Sequence, residues 1–464
     1  MGLTELPDVF LAEICAGCSV ADLGALLLVS RGYERLFHAY FVAACKRYCF
    51  LDFLTPTIAA YRMAAPIPTT WPKLYETFTS NRNMTWTACE PALSASLRKL
   101  KIDPTEYTVD GANLLRCGGH YLFGLWQIRF ADVSIAPGNI DDDSYGTLEM
   151  GSWEKLRPLG SGPCPRRGHT ATALPPLFVE KTVSFPDEDY DGHHWRRLLI
   201  FGGQAEGYPF QAFNDLYLCC QTKARGTGET RAYWVEPETA GLPPGPRCGH
   251  VATVLDPMTV LFSGGSSGTT PIPTLEIYLL HQLDGDYGDT GLGAYRWSQP
   301  VYDMYPPMGR TLHAVFQPDR AKHQLVVFGG KQIRESNGLL DCHYLSFCDD
   351  ALTTCAWSTP ALEGNAPKAR RGHSSMTIGH RYLLVFGGQE NESLALDNTT
   401  YELDAKRLRW TAPPVRGNPP SARRGHKLQY FGSRMVVQSG FVLNTDGRAN
   451  VKLPDTDTHV LSFL

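Results

Sequence analysis

The chain has 464 residues, 43 % of them apolar, and a formal net charge of −4. That length admits a small domain beside one large closed one, and the near-balanced charge excludes a strongly basic footprint for nucleic acid or a membrane surface. The 44 glycines and 33 prolines suit many short strands and turns, and no apolar run reaches the roughly 18 residues of a spanning helix. The opening MGLTELPDVF has neither a basic stretch nor an apolar core, which predicts no secretory leader. Leu6 stands where a myristoylation signal needs Ser or Thr. Thirteen cysteines, an odd number, predict mostly buried thiols in a reducing compartment, cytoplasmic and/or nuclear. Cys15, Cys18, Cys45 and Cys49 could hold zinc by residue type, but their apolar, helix-like settings read as buried thiols.

Residues 1–50 form the first unit. Thr4 caps a helix with Pro7 in its first turn. Ser19 and Asp22 make a capping box ahead of Leu23, Leu26 and Leu27. Phe37, Phe41, Ala44 and Tyr48 then share one helical face. Three short helices make a marginal core, so part of this apolar surface is expected to meet a partner. The stretch resembles an F-box in Leu6-Pro7, Val9, Ile14, Asp22-Leu23, Leu26, Val29-Ser30 and Tyr33. That family usually carries Cys and Trp near the last two positions, where Ser30 and Tyr33 are softer matches.

Residues 51–105 read as a connector. Pro56, Pro66, Pro68, Pro72 and Pro91 break it, yet Trp71, Tyr75, Phe78 and Trp86 are too apolar for a free linker. A packed neck is expected there, with a possible ring-closing strand at MTWTA (84–88).

From 106 to 464 the chain repeats. Five histidines, His169, His250, His313, His373 and His426, each follow a tryptophan by 16 residues: Trp153, Trp234, Trp297, Trp357 and Trp410. Each also follows an arginine by three: Arg166, Arg247, Arg310, Arg370 and Arg423. An apolar run then ends in a glycine pair or its remnant, as in LLIFGGQ (198–204) and LVVFGGK (325–331), and a further strand-like run comes after a variable loop. Four short β-rich runs per unit make one sheet, and a sheet buries both faces only when neighbouring sheets flank it. His, Gly-Gly, a Tyr-bearing strand and a spaced Trp resemble the kelch repeat, a β-propeller family. The fold class expected is therefore a small all-α F-box module plus an all-β kelch propeller. Six blades follow if 98–150 is a degenerate first one, with five as the alternative. In that fold the N-terminal segment completes the last blade.

The repeat histidines lie around a ring, too far apart to share a metal ion, and are expected to hydrogen-bond within their own blades. Two readings of the arginines stay open. They are tied down by their own blades, or they face a central cavity with Gln204, Lys331 and Gln389 and take an acidic or phosphorylated partner segment. His193-His194 lies among Asp187, Glu188, Asp189 and Asp191 in an insert that reads as a solvated acidic loop. No hydrolase, metalloprotease or phosphate-loop motif occurs, so no enzyme, metal or cofactor is expected. The paired resemblance implies a substrate receptor of a Skp–cullin–F-box type E3 ubiquitin ligase. Leu6, Pro7, Val9, Ile14, Leu23, Leu26, Val29 and Tyr33 would dock a Skp-family adaptor, and through it a cullin–RING ligase. The propeller would hold the protein target. The alternative is a kelch protein-interaction scaffold, cytoskeletal or regulatory.

Overall fold

The computed structural model of the chain describes residues 85–89, 106–110, 113–118, 124–132, 148–150, 154–177, 195–205, 211–223, 230–267, 272–283, 294–319, 324–332, 338–378, 382–390, 392–431, 434–443, 450–452 and 458–462. Residues 1–50, where a helical module with adaptor-docking residues is expected, and the cysteines there lie outside them, as do His193 and His194. Every regular element among the described residues is a strand.

The strands form six main sheets. Blade one runs outward through Glu106–Asp110, Asn113–Gly118 and Gly124–Asp132, and Leu148–Met150 and Glu154–Leu156 both pair with the last of these. Blade two holds Thr170–Leu177, Trp195–Phe201, Leu216–Lys223 and Thr230–Val235. Blade three holds Val251–Asp256, Thr259–Ser263, Ile277–Gln282 and Tyr295–Ser298. Blade four holds Ala314–Asp319, Gln324–Lys331, Gly338–Phe347 and Thr354–Ser358. Blade five holds Ser374–Ile378, Tyr382–Phe386, Thr400–Asp404 and Arg409–Thr411. Blade six holds Lys427–Phe431, Arg434–Gln438, Thr458–Ser462 and, outermost, Thr85–Cys89. The innermost strands touch in succession, and that of blade six touches that of blade one. Among the described residues the ring therefore closes at six blades, and residues 106–156 build a sheet of their own rather than part of a neighbour's.

The core lies between blades. Leu199, Phe201 and Leu218 of blade two share one apolar cluster with Val260, Phe262 and Trp297 of blade three. Equivalent clusters join blades three and four and blades four and five. Trp297 stands 5.1 Å from Phe201 of the preceding blade and 5.1 Å from Phe262 of its own. Trp410 stands 5.1 Å from Phe328, again one blade back. The spaced tryptophan of the sequence is thus the outer-strand plug of the interblade seam.

Outer edges are covered. After leaving one blade, the chain pairs briefly and in parallel with the outermost strand of the next: Thr239–Ala240 on blade three, Val301–Tyr302 on blade four, Glu363–Gly364 on blade five and Arg416–Gly417 on blade six. This blunts edges that could otherwise pair with other chains. Gly364 shows why glycine recurs there. Its φ is +85°, and a Cβ would lie 2.2 Å from the carbonyl oxygen of Trp410.

Candidate functional site

All five repeat arginines are only 0–2 % exposed, and they repeat one geometry. Nε of Arg166 donates to Cys164 O at 3.0 Å, and Nη1 donates to Gly202 O at 2.9 Å. Its two terminal nitrogens reach the Asp215 carboxylate at 2.5 and 2.8 Å. Arg247 binds Gly264 O at 2.9 Å and Glu276 at 2.9 Å. Arg310 binds Gly329 O at 3.0 Å and both oxygens of Asp341 at 2.6 and 2.8 Å. Arg370 binds Gly387 O at 3.1 Å and Asp397 at 2.5 Å. Arg423 binds Ser439 O at 3.0 Å and the hydroxyl and carbonyl of Ser421 at 3.1 and 3.0 Å. Each guanidinium thus ties the turn before its inner strand to the end of the second strand. In four blades a carboxylate ahead of, or early in, the third strand completes the pairing. Burial alone would raise the Asp341 carboxyl, but hydrogen bonds from His343 and Arg310 outweigh it and hold it well below the usual carboxylate range. The expectation that Arg166, Arg247, Arg310, Arg370 and Arg423 face a partner gives way to the within-blade reading. Apart from Nη2 of Arg370, which has no hydrogen-bond partner, their guanidinium nitrogens are engaged, and their side chains are out of solvent.

The histidines act between blades. His250 Nε2 lies 2.9 Å from Thr170 Oγ1 of blade two, and His313 Nε2 lies 2.7 Å from Ser263 Oγ of blade three. The expectation of bonding within the histidine's own blade is corrected for these two. The glycine pair makes room for this approach. A Cβ on Gly264 would meet Cε1 of His313 at 2.8 Å, and a Cβ on Gly265 would meet Cβ of His250 at 3.0 Å. The Gly202-Gly203 and Gly264-Gly265 pairs therefore each receive their own blade's histidine on one glycine and the next blade's on the other. Burial pushes His169, His313 and His426 down to about 3 and His373 to about 4, with the adjacent arginine adding to the effect.

The residues just past the glycine pairs lie on the same face as the turns that precede the inner strands. Gln204, Ser266 and Lys331 bridge by backbone to Arg167, Cys248 and Thr311, and Arg424 bridges to Phe441. Gln389 pairs with Arg371 in the same way. Lys331 is half-buried. The Gln204 amide sits between the Arg167 guanidinium at 3.0 and 3.2 Å and Cys248 Sγ at 2.9 Å. Gln389 is buried and donates to Leu394 O at 2.8 Å, so it holds its own loop. Among the described residues, the second residues of the turns, Arg167 and Arg424, are half-buried cations at these positions, together with Lys331. The doubled arginine of the sequence carried that signal, and the first arginine of each pair is the structural one. Among the described residues no three His, Cys, Asp or Glu side chains gather to hold a metal ion.

A closed ring of four-stranded blades, stitched by Arg, His and Gly-Gly at fixed positions, defines a kelch-type propeller that works as a protein-interaction domain. The KLHDC2/KLHL20/DRC7 Kelch-repeats domain matches residues 137–347 and 289–463, and the chain belongs to that kelch-repeat family. It is 28 % identical over 222 residues to the mouse (Mus musculus) Rab9 effector protein with kelch motifs, covering 46 % of this chain and 53 % of that protein. It is 27 % identical over 268 residues to human (Homo sapiens) Host cell factor 1, covering 53 % of this chain and 12 % of that protein. The chain thus spans about half the length of the Rab9 effector relatives it matches. Among solved structures, that of YjhT aligns with a TM-score of 0.42 at 12 % identity, over 76 % of this chain and 92 % of that one.

Proposed function

We propose that this kelch protein is the substrate-recognition subunit of a Skp–cullin–F-box type E3 ubiquitin ligase. The N-terminal residues Leu6, Pro7, Val9, Ile14, Leu23, Leu26, Val29 and Tyr33 dock a Skp-family adaptor, and the propeller holds the target. The supporting observation is the order of parts, an F-box-like motif in the sequence ahead of a kelch propeller. The chain itself performs no bond chemistry; it acts by proximity, presenting target lysines to a conjugating enzyme in the cytoplasm or nucleus. An acidic or phosphorylated target segment suits the rim cations Arg167, Arg424 and Lys331.

Co-purification tests this. Wild type should retain a Skp-family adaptor, and Leu6→Ala/Pro7→Ala/Ile14→Ala should lose it. If the two recover it equally, or neither recovers it, the ligase reading fails. The second reading, a kelch interaction scaffold outside the ligase, is favoured by the match to a protein named as a Rab9 effector.

A further inference from the structure

We infer that the connector between blades three and four is a docking ridge for a short linear protein segment that carries apolar side chains beside an acidic one. The inference rests on the protein-interaction reading of the propeller and is independent of the F-box.

The argument starts from the repeat. Nine residues before the histidine, four units have glycine: Gly160, Gly241, Gly364 and Gly417. The third unit has Met304. Immediately before the histidine, four units have glycine with φ near +65°. The third has Leu312, held at φ 55°, a left-handed conformation that is unfavourable for a residue bearing a side chain. Tyr305 and Met308 also lie in this connector. Met304, Tyr305, Met308 and Leu312 are 58, 85, 59 and 60 % exposed. The blade architecture needs neither Met304 nor Leu312, because the other units make the same turn with glycine at these two places. Exposed apolar bulk, kept together with backbone strain, is the mark of a contact surface.

The ridge is also rigid. Leu275 N donates to Pro307 O at 2.8 Å, Gly309 N to Pro273 O at 3.0 Å, and Leu312 N to Gly249 O at 2.9 Å. On the outer side Asp303 N donates to Cys355 O of blade four at 2.8 Å. Gln332 Nε2 lies 3.0 Å from Met308 Sδ. A surface fixed in this way spends little ordering entropy on binding, while methionine adapts to the shape of what it meets.

Size and charge choose the occupant. Four side chains make a patch of a few hundred Å², short of the roughly 800 Å² per partner of a standard interface between folded proteins. A second copy of this chain is therefore a poor fit, and a short segment is a good one. Lys331 pairs by backbone with Thr311, next to Leu312, whereas the exposed Asp303 stands at the opposite end. The acidic side chain of the segment therefore lies toward Lys331.

A displayed random library of short linear peptides, selected against the full-length chain, tests this. Enriched peptides should combine apolar and acidic residues. Met304→Ser/Tyr305→Ser/Met308→Ser should weaken them about tenfold or more with an unchanged thermal midpoint. Lys331→Glu should weaken them too, and Leu312→Gly should weaken them while raising the thermal midpoint. Peptides that bind these variants as well as wild type overturn the inference. So does failure to enrich any peptide, or a wild-type dimer that the triple variant dissolves. Adaptor capture reads separately: peptides bound at the ridge with no adaptor retained would sink the ligase reading and leave the ridge standing.

Discussion

Each buried repeat histidine is a neutral wedge in an interblade seam, and protonation would place a charge where there is no water to receive it. In the unfolded chain these imidazoles titrate near 6.5. In the folded chain His169, His313 and His426 lie at about 3 and His373 at about 4. Between those values the unfolded chain binds more protons, so acid favours unfolding. The stabilisation is complete above about pH 6.5 and is lost progressively as the pH falls toward the folded values, by up to about 1.4 kcal/mol per pH unit for each histidine. Thermal midpoints measured from pH 7.5 down to about 5 should fall steadily, and less steeply in His313→Gln. A flat profile for wild type would contradict the assignment.

Arginine and its acid staple three strands of a blade into one unit. Arg310→Ala removes a buried cation bonded to Gly329 O and Asp341 and leaves a hole in its place. The loss should be about 3 kcal/mol or more, read as a drop in unfolding midpoint. A variant of wild-type stability that lost only partner binding would return Arg310 to the target-facing role. The staple was half legible in the sequence. Trp and His keep a spacing of 16 because both lie on one short crossing from the outer strand of a blade to the inner strand of the next. The acids were invisible because they follow loops of variable length: Asp215, Glu276, Asp341 and Asp397 stand 49, 29, 31 and 27 residues from their arginines. The histidine partners, 80 and 50 residues back, were hidden for the same reason. Burial of the arginines did not follow from composition, since a guanidinium leaves solvent only where most of its donors find partners, and those partners are set by the tertiary fold. Leu312 was legible only as a missing glycine; its exposure and left-handed backbone needed the structure.

At the scale of the whole molecule, one sheet joins residues from both parts of the sequence. Thr85–Cys89 pairs residue for residue with Thr458–Ser462, from Thr85 opposite Ser462 to Cys89 opposite Thr458. A variant beginning at Glu90 should lose the outer strand of blade six and expose Thr458–Ser462 as an edge. Its unfolding midpoint should fall and its tendency to associate should rise, both measurable by thermal denaturation and light scattering. Equal stability and solubility would mean that the closure contributes little to the ring.

The same pairing sets a clock on biosynthesis. Thr85 and Ser462 are 377 positions apart, and at about 5–20 residues per second the ribosome needs roughly 20–75 s to deliver the second after the first. Throughout that interval the early strand waits without its antiparallel mate while five blades are made ahead of it. Nascent chains are thus exposed to mispairing until Thr458–Ser462 is made, and that strand decides whether the ring closes on itself or on a neighbour.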